Sequence, residues 1–256
     1  MSRSNPTSEK QANPSTRWHE WEGGRDGGHI SFYNKDTKAK VAVKLPFAFI
    51  VLDELSCVKG WHDASDSGIS SNEVRDTKSE PLVVKSFKGG LLAEGFYSAI
   101  RDRIMSQGGH FVSNLYCAYK DESGALQLGS VQFKGAALNS WVEFKKAIGA
   151  QFDPAAALAK RGVAVQITGY AEGKKGSILY RVPKFSTVAM SAESNAAATK
   201  IDSEILQPYL ADYFRKPKLE QAAHAEPVAD ADAENQMADA IALEQEKKAV
   251  EGDVPF

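Results

Sequence analysis

Between residues 39 and 55 the chain reads AKVAVKLPFAFIVLDEL, with Val41, Val43, Leu45, Phe47, Phe49 and Val51 on one side of the alternation and Ala42, Lys44, Pro46 and Ala48 on the other. A period of two places one face against a core and leaves the other open, which predicts a strand. Further strands are expected at 56–62, 82–87, 110–120, 126–133, 163–170 and 177–185, where β-branched and aromatic residues cluster. Glycine-bearing turns at 121–124 and 172–176 suit hairpins between neighbouring strands.

The period changes to that of a helix in three places. Residues 91–105 put Phe96, Ile100 and Ile104 on one stripe, and residues 138–149 group Leu138, Trp141, Val142, Lys145 and Ile148 ahead of Gly149, a natural stop. A third helix is expected over 194–207, with a further turn from Pro208 to Phe214, since proline opens a helical turn but disrupts a helix interior. The expected fold is mainly β, with helices packed on a barrel or sandwich.

This patterning divides the chain. Residues 1–29 are rich in Ser, Asn, Pro and Gly, with Trp18 and Trp21 as the large apolar groups, and read as a flexible arm that the tryptophans clip to the domain or use to stack on a base. Residues 30–190 form the β-domain and 191–218 a helical segment. Residues 219–256, dominated by Ala, Glu, Asp and Gln, read as a disordered tail.

Composition then narrows the class. At 256 residues, 43% hydrophobic and 25% charged, the chain suits one globular domain with tails. No apolar run approaches the roughly 20 residues that cross a bilayer, so a cytoplasmic protein is expected. Cys57 and Cys117 are too few for a disulfide framework and point to a reducing compartment. The net charge of -2 hides a split: residues 220–256 hold ten acids and two lysines, a balance of -8, which leaves 23 acids and 29 bases before them, a balance of +6. A basic body with an acidic tail suggests an anionic partner, nucleic acid first.

Catalytic signatures are weak. Gly169 to Ser177 resembles a phosphate loop, but its glycines are spaced four apart, no Ser or Thr follows Lys174, and a strand follows where a helix should begin, so it reads as a basic hairpin turn. Asp53, Glu54, Asp63 and Asp66 are the acids that a metal-dependent nuclease would use, without distinctive spacing. Cys57, His62, His110 and Cys117 offer zinc-type ligands without the short paired spacing of structural zinc. No catalytic residue, metal or cofactor is assigned.

Aromatic and basic residues interleave on the expected strands: Trp61, Lys85 and Lys88, Tyr116 with Lys120, Lys134, Tyr170 beside Lys174 and Lys175, and Arg181 with Lys184. Rings that stack unpaired bases and cations that follow phosphates make such an interface. Alternation places Tyr116 and Lys120 on the more polar face of 110–120, and Tyr170 opposite Val163, Val165 and Ile167.

The chain ends EGDVPF. With the acidic tail, this tip resembles that of single-stranded DNA-binding proteins, in which an acidic end closes with Asp, an aliphatic residue, Pro and Phe; Asp253, Val254, Pro255 and Phe256 match it. The longer body, including the 180–185 segment YRVPKF, is more similar to the phage-encoded members. The resemblance implies an OB-fold, a five-stranded Greek-key barrel, sequence-tolerant binding of single-stranded DNA in replication, recombination or repair, and a tip that recruits a helicase, polymerase, nuclease or recombinase. It implies a non-enzymatic protein of the host cytoplasm; a homo-oligomer is left open. A metal-dependent nuclease and a protein-only adaptor are the alternative readings.

Overall fold

The computed structural model describes residues 12–216; the acidic tail and its tip lie outside them. The strands and helices, in chain order, are β1 (Trp18–Glu22), β2 (His29–Asn34), β3 (Ala39–Val43), β4 (Phe47–His62), β5 (Ser67–Ser71), β6 (Leu82–Ser86), β7 (Gly90–Gly95), α1 (Tyr97–Ser106), β8 (Gly109–Lys120), β9 (Leu126–Lys134), α2 (Gly135–Ala147), α3 (Pro154–Lys160), β10 (Val163–Lys175), β11 (Ile178–Ala189), α4 (Ala192–Ile201) and α5 (Gln207–Arg215). All eleven strands join one mixed sheet in the order β3-β2-β1-β9-β8-β4-β5-β6-β7, with β10 paired to both β4 and β11. No helix among the described residues is long and apolar enough to cross a membrane.

β4 is the spine. It pairs antiparallel with β8 along most of its length, with β10 at its start and with β5 at its end. Phe47, Phe49 and Val51 point into a core shared with Leu115, Cys117 and Trp141. A bulge between Val51 and Asp53 then inserts one residue, and the side-chain alternation swaps faces. Beyond it Leu55 packs on the opposite side of the sheet, beneath α5.

Three corrections to the sequence reading follow. The arm expected over residues 1–29 is, from Trp18 onward, a strand: β1 pairs antiparallel with β2 and parallel with β9, and His19 and Trp21 are buried. The strand expected through Pro46 is two strands, β3 and β4, although Val43, Leu45 and Phe47 still share the core side. The helix expected from Leu91 begins at Tyr97; Leu91 lies in β7 and Phe96 is exposed at the helix N-cap, while Ile100 and Ile104 are buried as the stripe required.

Local signals explain the helices that were legible. α2 buries Leu138, Trp141 and Lys145, and the chain turns away through Gly149 at φ 62°, in the left-handed region glycine favours. α4 starts where the Ser191 side chain accepts the Ser194 N–H. A π-helical segment, Asp202–Leu206, joins α4 to α5, and Pro208 occupies the first turn of α5. α3, not expected from the sequence, is capped by Asp153 and opened by Pro154.

Candidate nucleic-acid interface

The swap of faces in β4 turns Lys59 and Trp61 away from the core that holds Phe47, Phe49 and Val51. Antiparallel register carries the row onward on both sides: Lys59 lies opposite His110 and Ser70, Ser70 opposite Lys85, and Lys85 opposite Leu91. Directly paired residues share a face. In the neighbouring row Val112 of β8 lies opposite Cys57 and Lys134. Lys59, Lys85 and Lys134 therefore stand on one face of the sheet with Trp61 beside them. A shallow dip lined by Lys59, Val112, Gln132, Lys134 and the carboxylate-bearing Glu20 lies at its centre.

The imidazole of His110 sits within this strip, and burial together with the charge of Lys134 pushes its pKa down to about 4. It is thus neutral at pH 7, and its buried Nδ1 has no hydrogen-bond partner among the described residues. Phe87 and Leu91, both exposed, extend the face on the β6–β7 wing. Lys88 lies at the tip of that wing, where its Nζ donates a 3.0 Å hydrogen bond to the Asp66 carbonyl.

Tyr116 is the main correction among the expected ligand-contacting residues. It is fully buried, packed with Leu55 and Leu128 under Leu206, Tyr209, Leu210 and Tyr213. Its hydroxyl donates to Glu73 and accepts from Asn13. The face that alternation marked as polar is covered by α5. The signal was in the sequence: Leu206, Tyr209, Leu210 and Tyr213 form an i, i+3, i+4, i+7 stripe, which needs an apolar surface to cover.

Tyr170 is exposed, but not on the face expected. A bulge between Ile167 and Gly169 puts Tyr170 opposite Pro183 and Glu172 opposite Arg181. The Arg181 guanidinium lies 4.7 Å from the centroid of the Tyr170 ring, donates a 2.7 Å hydrogen bond to the Gly27 carbonyl and pairs with Glu172. Both side chains crowd Gly28, where φ is 90° and a Cβ would fall 2.6 Å from the Tyr170 ring. Arg181 is thus a fastener between the β10–β11 hairpin and the β1–β2 turn. Its backbone N–H also donates to Gly23 O, so the hairpin flanks the strip at the end of β1. Lys174 shares the Tyr170 side of the hairpin, while Lys175 and Lys184 occupy the other. Lys120 stands apart, exposed at the far end of β8.

The acids and thiols considered for other chemistry do not converge. Asp53 holds Arg75 at 2.7 Å, and Glu54 accepts from Lys145, Trp141 and Ser113 on the opposite face, whereas Asp63 and Asp66 lie beyond the other end of β4. Cys57 and Cys117 are both buried, Cys57 on the α5 side of the sheet and Cys117 in the core with Phe49 and Trp141; burial pushes the Cys57 thiol up to about 12 and Cys117 further in the same direction. Among the described residues no cluster of three His, Cys, Asp or Glu side chains is arranged to hold a metal.

Comparison of the chain with known protein families, curated proteins and solved structures finds no match.

Proposed function

We propose that this chain is a non-catalytic, sequence-tolerant single-stranded DNA-binding protein, of the kind that its C-terminal tip resembles and with a body similar to the phage-encoded members, acting in the host cytoplasm during replication or recombination. The observation that carries the reading is the convergence of Lys59, Lys85 and Lys134 with Trp61 on one sheet face, brought there from three separate strands, β4, β6 and β9, by the register. From β6 to β9 the cations cross four strand spacings, about 19 Å at ~4.8 Å each. That span presents ammonium groups to several successive phosphates while Trp61 offers a stacking surface.

Connectivity supports an OB-type barrel at its centre. The long β4 pairs with β8 and also with β10, the β8–β9 hairpin is followed by helices, and the β10–β11 hairpin closes the series. In that fold the second and third strands, with the loops joining the first to the second and the fourth to the fifth, hold the oligonucleotide. Here the corresponding elements are β8, β9, the β5–β7 wing and the β10–β11 hairpin, which border the strip. The tail residues Asp253, Val254, Pro255 and Phe256 are the proposed recruiting element for replication and recombination enzymes.

The test is an electrophoretic titration with single-stranded and duplex oligonucleotides at several salt concentrations. Preference for single strands with a falling log affinity against log salt supports the reading; equal affinity for both forms, or cleavage on adding Mg²⁺, sinks it.

A further inference from the structure

The molecule has a second concave surface, remote from the strip. A groove of about 730 Å³ runs between the β3 edge and the start of β4, with the end of β11 as its far wall. Its floor is a cluster of rings: His19 lies 4.7 Å from Tyr119, 5.0 Å from Phe47 and 5.7 Å from Phe32, centroid to centroid. Burial lowers the His19 pKa to about 4, so the floor is uncharged at neutral pH.

Two features of the rim define what would fit. First, among the described residues β3 pairs only with β2, so its other edge presents backbone N–H and C=O groups, and Val41 stands exposed beside the groove. A free edge is a template for another strand. Second, the cations at the mouth outlast the local pairing: Arg17 is held by both oxygens of Glu122 at 2.6 and 2.8 Å, and Asp121 is occupied by its own turn, which leaves Lys44 and Lys120 exposed on the rim.

We infer that this groove is a docking site for an extended acidic peptide of a partner protein, which adds as a strand to β3, sets alternate apolar side chains on the ring floor and turns its carboxylates to Lys44 and Lys120. A second copy of this chain fits less well, because Lys38 and Lys44 flank the edge and would oppose one another across a two-fold axis centred on Val41. The inference is independent of nucleic-acid binding by the opposite end of β8.

The probe is a capped six-residue peptide alternating Glu with Val and Phe, titrated by fluorescence anisotropy into the full chain. The expected result is binding about tenfold tighter than that of the same peptide carrying Lys for Glu, with losses of about tenfold for Lys120→Glu and again for a peptide N-methylated on the edge-pairing residues. The methylated peptide leaves the protein untouched, so a misfolded variant cannot obscure the answer. Absence of binding, equal binding of the methylated peptide, or occupation of β3 by a second copy in sedimentation would each overturn the inference. So would tighter probe binding once residues 219–256 are removed, since that assigns the groove to the chain's own acidic segment.

Discussion

The hydroxyl of Tyr116 on β8 donates a 2.7 Å hydrogen bond to the carboxylate of Glu73, which arrives from the loop between β5 and β6. The same carboxylate accepts from Asn114 at 2.6 Å, and the Glu73 N–H donates to the Tyr213 hydroxyl of α5 at 2.6 Å. One network thus fixes loop, sheet and C-terminal helix together.

Tyr116→Phe is expected to destabilise the fold by about 1–3 kcal/mol, because it leaves a buried carboxylate short of a donor, without changing DNA affinity. Urea denaturation and the oligonucleotide titration on the same preparation check both halves. A loss of affinity in a variant of unchanged stability would return Tyr116 to the binding surface.

Burial raises the Glu73 pKa above its ordinary 4.5. The folded state then holds the proton more tightly than the unfolded chain, so stability associated with Glu73 is greatest below 4.5 and declines as pH rises through the raised value. Glu73→Gln should flatten that decline. An unaltered slope in stability against pH would assign it elsewhere.

His19 has the opposite sign. Its Nδ1 is 3.1 Å from the Ser130 carbonyl, and burial takes its pKa from 6.5 to about 4. The unfolded chain gains the proton first, so stability is full above 6.5 and falls as pH drops toward 4, by about 3 kcal/mol at the limit. His110 adds a loss in the same window. His19→Phe should reduce the acid-induced loss, read from urea midpoints between pH 7 and 4; an unchanged loss would show that His19 does not drive it.

On the strip, Trp61→Ala should weaken single-strand binding by ~1–3 kcal/mol. Lys59→Ala or Lys134→Ala should lower the slope of log affinity against log salt by about 1 each. Lys120→Ala, remote from the strip, should change neither. If all four behave alike, the interface is not this face.

The tip predicts a separation of functions. Removal of Phe256 should leave oligonucleotide affinity intact, since every acidic side chain remains, and should abolish capture of a helicase, polymerase or nuclease by the immobilised chain. Capture that survives the deletion would show that the ring is not the anchor.

The sequence by itself determined the β-rich class, most strand positions, the buried stripe of α2 with its Gly149 stop, and the hairpin at 172–176, because period, turn chemistry and caps are local. It also held the cations and aromatics of the candidate interface, Trp61, Lys85 and Lys134 among them. Which of these meet was decided by tertiary structure. A single extra residue between Val51 and Asp53 reverses the alternation of β4 and brings Lys59 and Trp61 onto the face of Lys85 and Lys134, and another between Ile167 and Gly169 turns Tyr170 onto Arg181. Tyr116 was lost to the core because a helix some ninety residues later carries the stripe that covers it. Alternation counts residues along one strand; it registers neither a bulge, which depends on the partner strand, nor a cover supplied by a distant segment.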